Sequence, residues 1–296
     1  RELISNAADA LDKIRFKEVK GEKVADPDKE REIRINLDKD NKTFTIRDTG
    51  IGMTDEELKS NIGTIAKSGT LDFLRKSAES SEDSINLIGK FGVGFYSVFM
   101  AAEKVEVITK AAEPGSDTFI WTSTGQGSFK ISKGPQDFSR GTKITAYLRD
   151  EAEEFSEEIR VKTVIEKYSN FVPFPIFLND EQINTISAIW REPKSSVKDK
   201  DYNEFYKFIG HANDDPLAWL HFSADVPIQF HSLLYIPKTN PELLGFGRDE
   251  EGINMFVKRV LVEPHATEIL PPYLRFVRGV LESDDLPLNI SRESLQ

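Results

Sequence analysis

Thr43-Phe44-Thr45-Ile46-Arg47-Asp48-Thr49-Gly50-Ile51-Gly52-Met53 is the stretch whose reading decides the fold. The alternation from Thr43 to Arg47 predicts a strand. A second alternating run, Ile-Arg-Ile-Asn-Leu at 33–37, is joined to it by the polar turn Asp38–Lys42, so the two predict a hairpin. Asp48 stands where the second strand ends, and two glycines follow it. The local reading is a glycine turn whose Asp bonds its own backbone. The chemical reading is a buried carboxylate that accepts a hydrogen bond from an adenine amino group, with glycines letting the base approach the backbone.

Upstream, residues 1–20 predict an amphipathic helix, with Leu3, Ala7, Ala10, Leu11 and Ile14 forming its apolar stripe. Glu2 and Asn6 are four residues apart and share the opposite face with Asp9 and Lys13, roughly 6 Å apart along the axis. A solvated helix side has that composition. So does a site in which a carboxylate orients or deprotonates water beside an amide oxygen that completes a Mg2+ shell, for which few protein ligands suffice.

Downstream, Gly89-Lys90-Phe91-Gly92-Val93-Gly94 leads into a short helix at 95–102. Backbone N–H groups at a helix start form an anion site. The GxxGxG spacing differs from both the P-loop and the dinucleotide fingerprint. Helices are predicted at 54–63 and 70–79, and the polar run 79–86 reads as a mobile loop, part of a lid over bound nucleotide. Strands follow at 104–109, 118–122, 128–132 and 142–148, the last opened by Gly141-Thr142, and a helix at 156–169. Strands mixed with helices, without strict alternation, predict an α+β two-layer sandwich with a largely antiparallel sheet. The chain turns polar at Asn179–Asn184, where a domain boundary is expected. In the second segment, 231–236 and 255–262 read as strands and Tyr273–Glu282 as a helix. Near the end of that segment, Leu286-Pro287-Leu288-Asn289-Ile290-Ser291-Arg292-Glu293 carries an arginine that reads either as an ordinary surface arginine or as one whose fork of donors reaches a γ-phosphate.

Bulk properties narrow the classes. The 296 residues suffice for one large domain or two medium ones. The formal net charge of −11 argues against non-specific nucleic-acid binding. There is no cysteine, hence no disulfide framework or thiolate zinc site. The four histidines lack the spacing of a helical metal site. The longest apolar run, Phe171–Leu178, is interrupted by two prolines and is far too short to span a bilayer.

With these residues in hand, the chain resembles the heat-shock protein 90 chaperones along its whole length. The motifs are Arg1–Arg15, Asp48–Met53, Asn61–Thr70, Ile88–Ser97 and Ser283–Gln296. The first four also occur in the wider superfamily that includes DNA gyrase, the MutL repair proteins and histidine kinases. The stretch Asp284–Gln296 is particular to the chaperones, and Tyr168–Phe174 and Phe256–Gly279 look most like the bacterial HtpG type and its mitochondrial relative.

The resemblance implies a two-layer ATP-binding domain over 1–183, with a lid at about 63–96, and the first part of a middle domain over 184–296. It implies ATP or ADP and Mg2+ as ligands. Glu2 matches the water-activating carboxylate, Arg1 its restraint, Asn6 the Mg2+ ligand and Asp48 the adenine-binding aspartate. Gly52, Met53, Asn61, Lys67, Phe95 and Thr142 match pocket positions, and Gly92, Val93 and Gly94 the phosphate cradle. Arg292, with Asn289 and Gln296 in the same loop, matches the arginine that reaches the γ-phosphate. It further implies unfolded client proteins as partners, a homodimer in the full-length protein, neither nucleic acid nor membrane as partner, and a cytoplasmic location, or a mitochondrial one where a targeting segment has been removed.

Overall fold

The computed structural model describes residues 1–63, 94–225, 229–238, 252–266 and 268–283. The chain divides into two compact units, Arg1–Thr185 and Ile186–Gln296. The helix expected at 70–79, the loop at 79–86 and most of the lid lie outside the described residues.

The first unit begins with α1 (Glu2–Val19), which buries Ile4, Ala7, Leu11 and Ile14. Leu3 and Ala10 from the predicted stripe are only half-buried, whereas Asn6 and Lys13 on the opposite face are exposed. The hairpin follows as β1 (Ile33–Asp38) and β2 (Thr43–Asp48), paired antiparallel with Ile33 opposite Asp48. α2 (Asp55–Leu58) starts with a capping box: Thr54 Oγ1 accepts from the Glu57 amide and the Glu57 carboxylate accepts from the Thr54 amide. A π-turn, Lys59–Gly63, continues it. After residue 93, a 3-10 turn (Gly94–Ser97) leads into α3 (Val98–Ala101). Then come β3 (Ala102–Lys110), β4 (Thr118–Ser123), β5 (Phe129–Lys133), β6 (Gly141–Leu148), α4 (Glu158–Tyr168), β7 (Ile176–Leu178) and β8 (Glu181–Gln182).

These strands form one sheet in the order β5-β4-β3-β6-β2-β1-β7-β8. Every described neighbour pair in it is antiparallel except β1 with β7. Its core packs Val105, Val107, Trp121 and Ala146 against Leu58, Ile62, Tyr96 and Phe99, with Leu3, Met53 and Phe95 at the margin. Phe95 meets Tyr96 and Trp121 edge-on, at 5.4 and 5.8 Å between ring centres. The fold is the α+β sandwich expected from the sequence.

The second unit carries α5 (Asp199–Gly210) and a five-stranded sheet: β9 (Ala218–Ala224), β10 (Phe230–Ile236), β11 (Ile253–Val257), β12 (Val260–Ala266) and β13 (Arg278–Glu282). Its order is β12-β11-β13-β10-β9. Two expectations are corrected. The single strand at 255–262 is two strands joined by a tight hairpin, with Lys258 and Arg259 both left-handed (φ 48° and 62°) and Val257 opposite Val260. The helix at Tyr273–Glu282 is a 3-10 turn, Pro272–Leu274, followed by β13, which runs between β10 and β11. Pairing on both sides overrides a local apolar spacing that suits a helix equally well.

Within this unit Glu282 is fully buried and fully partnered. It accepts from Trp190 Nε1 at 2.5 Å, from Arg191 Nε at 2.8 Å and Nη2 at 2.6 Å, and from the Arg259 amide at 2.7 Å. Such a carboxylate is stable in the interior only because all its acceptor capacity is used.

Candidate active site

Strand register builds the first half of the site. Asp48 on β2 lies opposite Thr142 on β6, and Thr142 lies opposite Thr109 on β3. Residues directly opposite one another point to the same face, so a carboxylate and two hydroxyls form one row across three strands. All three are buried. Asp48 accepts from the Gly50 amide at 2.8 Å. Burial pushes its carboxyl up to about 7, with backbone donors at Gly50 and Thr142 and the charge of Arg47 pulling the other way. Thr109 Oγ1 lies 3.1 Å from Thr142 Oγ1, 3.2 Å from the Gly141 carbonyl, and accepts from the Met53 amide at 3.0 Å.

The turn after Asp48 is held rigidly. Gly52 has φ +61°, and a Cβ there would lie 1.9 Å from the Lys110 carbonyl oxygen, so only glycine fits. The Ile51 amide donates to the Ala10 carbonyl of α1 at 3.1 Å, and the Ala112 amide donates to the Ile51 carbonyl at 2.8 Å. Thr49 Oγ1 donates to the Glu30 carbonyl at 2.6 Å and accepts from the Glu32 amide at 3.1 Å.

Behind the turn sits Arg140, whose side chain is wholly buried. Its Nη1 donates to the Thr49 carbonyl, its Nη2 donates to the Lys29 carbonyl at 3.0 Å and lies 3.5 Å from Glu18 Oε1, and its amide donates to Asp26 Oδ2 at 2.8 Å. Burial lowers the pKa of this guanidinium, while Glu18 and Asp26 oppose that shift. One residue thus ties α1, the 26–29 segment and the turn carrying Asp48 together. The sequence reading passed over both Arg140 and Thr109. Arg140 adjoins the Gly141-Thr142 pair, which is a usable signal, whereas Thr109 is marked only by a register that no local pattern reveals.

The second half of the site lies at the start of α1. Glu2 is partly buried, and a Cβ on Gly94 would stand 2.6 Å from Glu2 Oε2. The carboxylate is therefore lodged against the bare Cα of the last glycine in the GxxGxG run. Arg1 Nε lies 3.6 Å from Glu2 Oε1, and the Arg1 guanidinium also lies 5.7 Å from the centre of the Tyr168 ring. Asn6, one helical turn on, is exposed beside Glu2. Asn61 is exposed on the π-turn, where its Oδ1 accepts from Ser60 Oγ at 3.3 Å. Tyr96 Oη donates to the Ile62 carbonyl, which fixes the chain entering and leaving residues 64–93 at one point.

α1 connects the halves: Ala10 holds the turn after Asp48, and Asn6 and Glu2 stand on the same helix about 6 and 12 Å further along its axis. Among the described residues no group of three or more His, Cys, Asp or Glu side chains is placed to hold a metal ion. A lone amide oxygen at Asn6 suits a hard cation such as Mg2+ that takes its other ligands from phosphate and water. Lys67, Gly92, Val93, Asn289, Arg292 and Gln296 lie outside the described residues. No helix among the described residues is long and apolar enough to cross a membrane.

Comparison with known proteins bears on both units. Residues 1–144 match the family described as "Histidine kinase-, DNA gyrase B-, and HSP90-like ATPase", and residues 178–296 match "Hsp90 protein". The whole chain aligns with proteins named Chaperone protein HtpG, at 48% identity in Desulfitobacterium hafniense and 51% in Desulfotalea psychrophila, covering 48% and 47% of those proteins. It aligns equally completely, at 44% identity, with 42% of the "TNF receptor-associated protein 1 homolog, mitochondrial" of Dictyostelium discoideum. The chain thus spans about half the length of the curated relatives it matches.

Proposed function

The chain belongs to the Hsp90 family, and from that premise we propose that it is the ATP-binding and catalytic-loop portion of an ATP-dependent chaperone of the HtpG type. The observation that carries the proposal is the placing of Glu2 against Gly94, on the same helix whose Ala10 carbonyl holds the turn bearing buried Asp48. Under this proposal a water-orienting carboxylate on α1 and a base-recognising carboxylate at the end of β2 serve one site, and the turn after Asp48 is tied to α1 at Ala10.

In this reading Asp48 accepts from the adenine amino group, and Gly52, Met53 and Thr142 shape the base pocket, with Asn61, Lys67 and Phe95 at its edge. Gly92, Val93 and Gly94 cradle the phosphates through backbone N–H groups. Asn6 would hold Mg2+, which supplies charge neutralisation at the phosphates when bound. Glu2 orients a water and takes its proton as the water oxygen attacks the γ-phosphorus and ADP leaves. Arg1 restrains Glu2 by competing for its carboxylate. Arg292, supported by Asn289 and Gln296, stabilises the charge on the transferring phosphoryl group.

The domains this assigns are an ATP-binding domain at 1–183, with a lid at about 63–96, and the opening of a middle domain at 184–296. Lid and dimer closure would couple hydrolysis to the remodelling of unfolded client proteins, in the cytoplasm of a bacterium or in a mitochondrion.

Single-turnover hydrolysis by the full-length protein tests the assignment. Glu2→Ala is expected to bind ATP and lose turnover, and Arg292→Ala to bind ATP and turn over slowly. Wild-type turnover in Glu2→Ala would remove the assigned base, and in Arg292→Ala it would remove the role of the second unit.

A further inference from the structure

Resting on the adenine-nucleotide reading above, we propose that Thr109 is a positioning residue that sets the hydrogen-bond polarity of Thr142, and through it the preference for a 6-amino over a 6-oxo purine. A hydroxyl has one proton to donate and two lone pairs to accept with. Thr109 Oγ1 is fully buried, so its bonds are made within the protein. One lone pair takes the Met53 amide at 3.0 Å. Its single proton can go either to the Gly141 carbonyl at 3.2 Å or to Thr142 Oγ1 at 3.1 Å.

Two arrangements are open to this set: donation to Thr142 gives up the bond to the Gly141 carbonyl, and donation to that carbonyl keeps every contact. In the first, Thr109 donates to Thr142, and the proton of Thr142 is released toward the pocket. In the second, Thr109 donates to the Gly141 carbonyl, which can only accept. Where the 3.1 Å contact is kept as a hydrogen bond, Thr142 then donates back to Thr109 and offers the pocket lone pairs alone.

The row that a ligand meets is therefore acceptor–donor in the first arrangement, with ionised Asp48 as acceptor and Thr142 as donor. In the second it is acceptor–acceptor. A 6-amino purine presents a donor beside a ring-nitrogen acceptor and matches the first, either directly or through a bridging water. A 6-oxo purine presents an acceptor beside an N–H and matches neither. Adenine selects the first arrangement, and the Met53 amide, Thr109 and Thr142 then form a relay running one way, from backbone to base. Removing the Thr109 hydroxyl lets Thr142 rotate freely, so the site loses part of its ability to tell the two purine edges apart.

The test is calorimetric titration of the full-length protein with ADP and with inosine diphosphate, both with Mg2+ at pH 8. Thr109→Val keeps the side-chain shape and deletes the hydroxyl, and Thr109→Ser keeps the hydroxyl. Thr109→Val is expected to weaken ADP binding by about 5- to 30-fold and to leave inosine diphosphate within about twofold, so that discrimination shrinks by nearly the whole loss. Thr109→Ser should keep wild-type discrimination. In a Thr142→Val background, Thr109→Val should change discrimination no further, because its effect passes through Thr142. Unchanged ADP affinity in Thr109→Val, or equal weakening of both nucleotides, overturns the relay. A wild-type protein that fails to bind ADP overturns the underlying nucleotide reading instead, so the two failures are separable.

Discussion

Replacing Asp48 with Asn should stabilise the first unit while abolishing nucleotide binding, and the gain should depend on pH. Burial moves the carboxyl from its ordinary value of 3.8 to about 7. At about 1.4 kcal/mol for each tenfold change in ionisation, keeping Asp48 charged in the folded state costs about 4 kcal/mol. The folded pKa is raised, so the associated stability is fully present below the unfolded value of 3.8 and is lost as pH rises through 7. Asn is isosteric and still accepts from the Gly50 amide through its Oδ1, but its new N–H groups need acceptors, an offset of about 1–2 kcal/mol that does not vary with pH.

The stability of Asp48→Asn relative to wild type should therefore rise by about 2.5 kcal/mol between pH 5 and pH 8. Urea unfolding of the nucleotide-free full-length protein measures this across that range. The transition of the first unit is the one to follow, and subtracting wild type from variant cancels every other titrating group. A difference that stays constant from pH 5 to pH 8 would refute the claim that burial holds this carboxyl near neutrality. If Asp48 receives the base amino group as proposed, wild-type affinity for ADP with Mg2+ should fall by up to about tenfold from pH 8 to pH 6, since the ionised carboxylate is the stronger acceptor and protonation turns one oxygen into a donor.

Three further perturbations follow from contacts in the two units. Gly94→Ala places a methyl where Glu2 Oε2 now sits, 2.6 Å away; turnover should drop by about 10- to 100-fold while ADP affinity changes by less than about threefold, measured by single-turnover kinetics and calorimetry. Arg140→Met strips donors from the Thr49 and Lys29 carbonyls and leaves Glu18 without its buried partner. It should destabilise the first unit by about 3 kcal/mol and weaken ADP binding, whereas Arg140→Lys should recover part of both in thermal melts and titrations. Glu282→Ala removes the shared acceptor of Trp190, Arg191 and the Arg259 amide; the second unit should lose about 3–5 kcal/mol in urea unfolding, with ADP affinity unchanged.

The sequence makes legible what short-range physics controls. The α1 face bearing Glu2 and Asn6 follows from helical period, and the β1–β2 hairpin ending in Asp48 follows from alternation and turn chemistry. The capping box at Thr54 and Glu57 belongs to the same class, since all its partners lie within four residues. What stayed hidden depends on distant pairing. Tyr273–Glu282 carries apolar residues at spacings that fit a helix, and only β10 and β11 on either side make its last five residues a strand. The Lys258–Arg259 turn lacks the Asn-Gly signature of its class. Thr109 joins the site because β3 is in register with β6 at Thr142, some 33 residues away, and a single buried arginine such as Arg140 looks like any surface arginine until its carbonyl partners are in place.

Two of these hidden residues, Arg140 and Thr109, share a physical role around Asp48. Asp48 is poorly suited to its surroundings on stability grounds alone, because a buried carboxylate near neutrality weakens the fold. Local rules are broken at functional sites when neighbouring structure compensates. Here the compensation comes from outside the motif: Arg140 fixes the turn from behind, the Ala10 carbonyl fixes it from α1, and Thr109 completes the hydroxyl row at its side. Because α1 also carries Glu2 and Asn6, a shift of the turn after Asp48 would, on the proposed function, pass along one helix to the end that bears Glu2. A variant that loosens the turn, such as Arg140→Met, should then depress kcat as well as nucleotide affinity. Thr109→Val, which removes a hydroxyl bonded to Thr142, the Met53 amide and the Gly141 carbonyl but leaves the contacts to α1 in place, should change affinity and leave kcat at saturating ATP within about twofold. Equal kcat losses in the two variants would mean that α1 does not couple the halves.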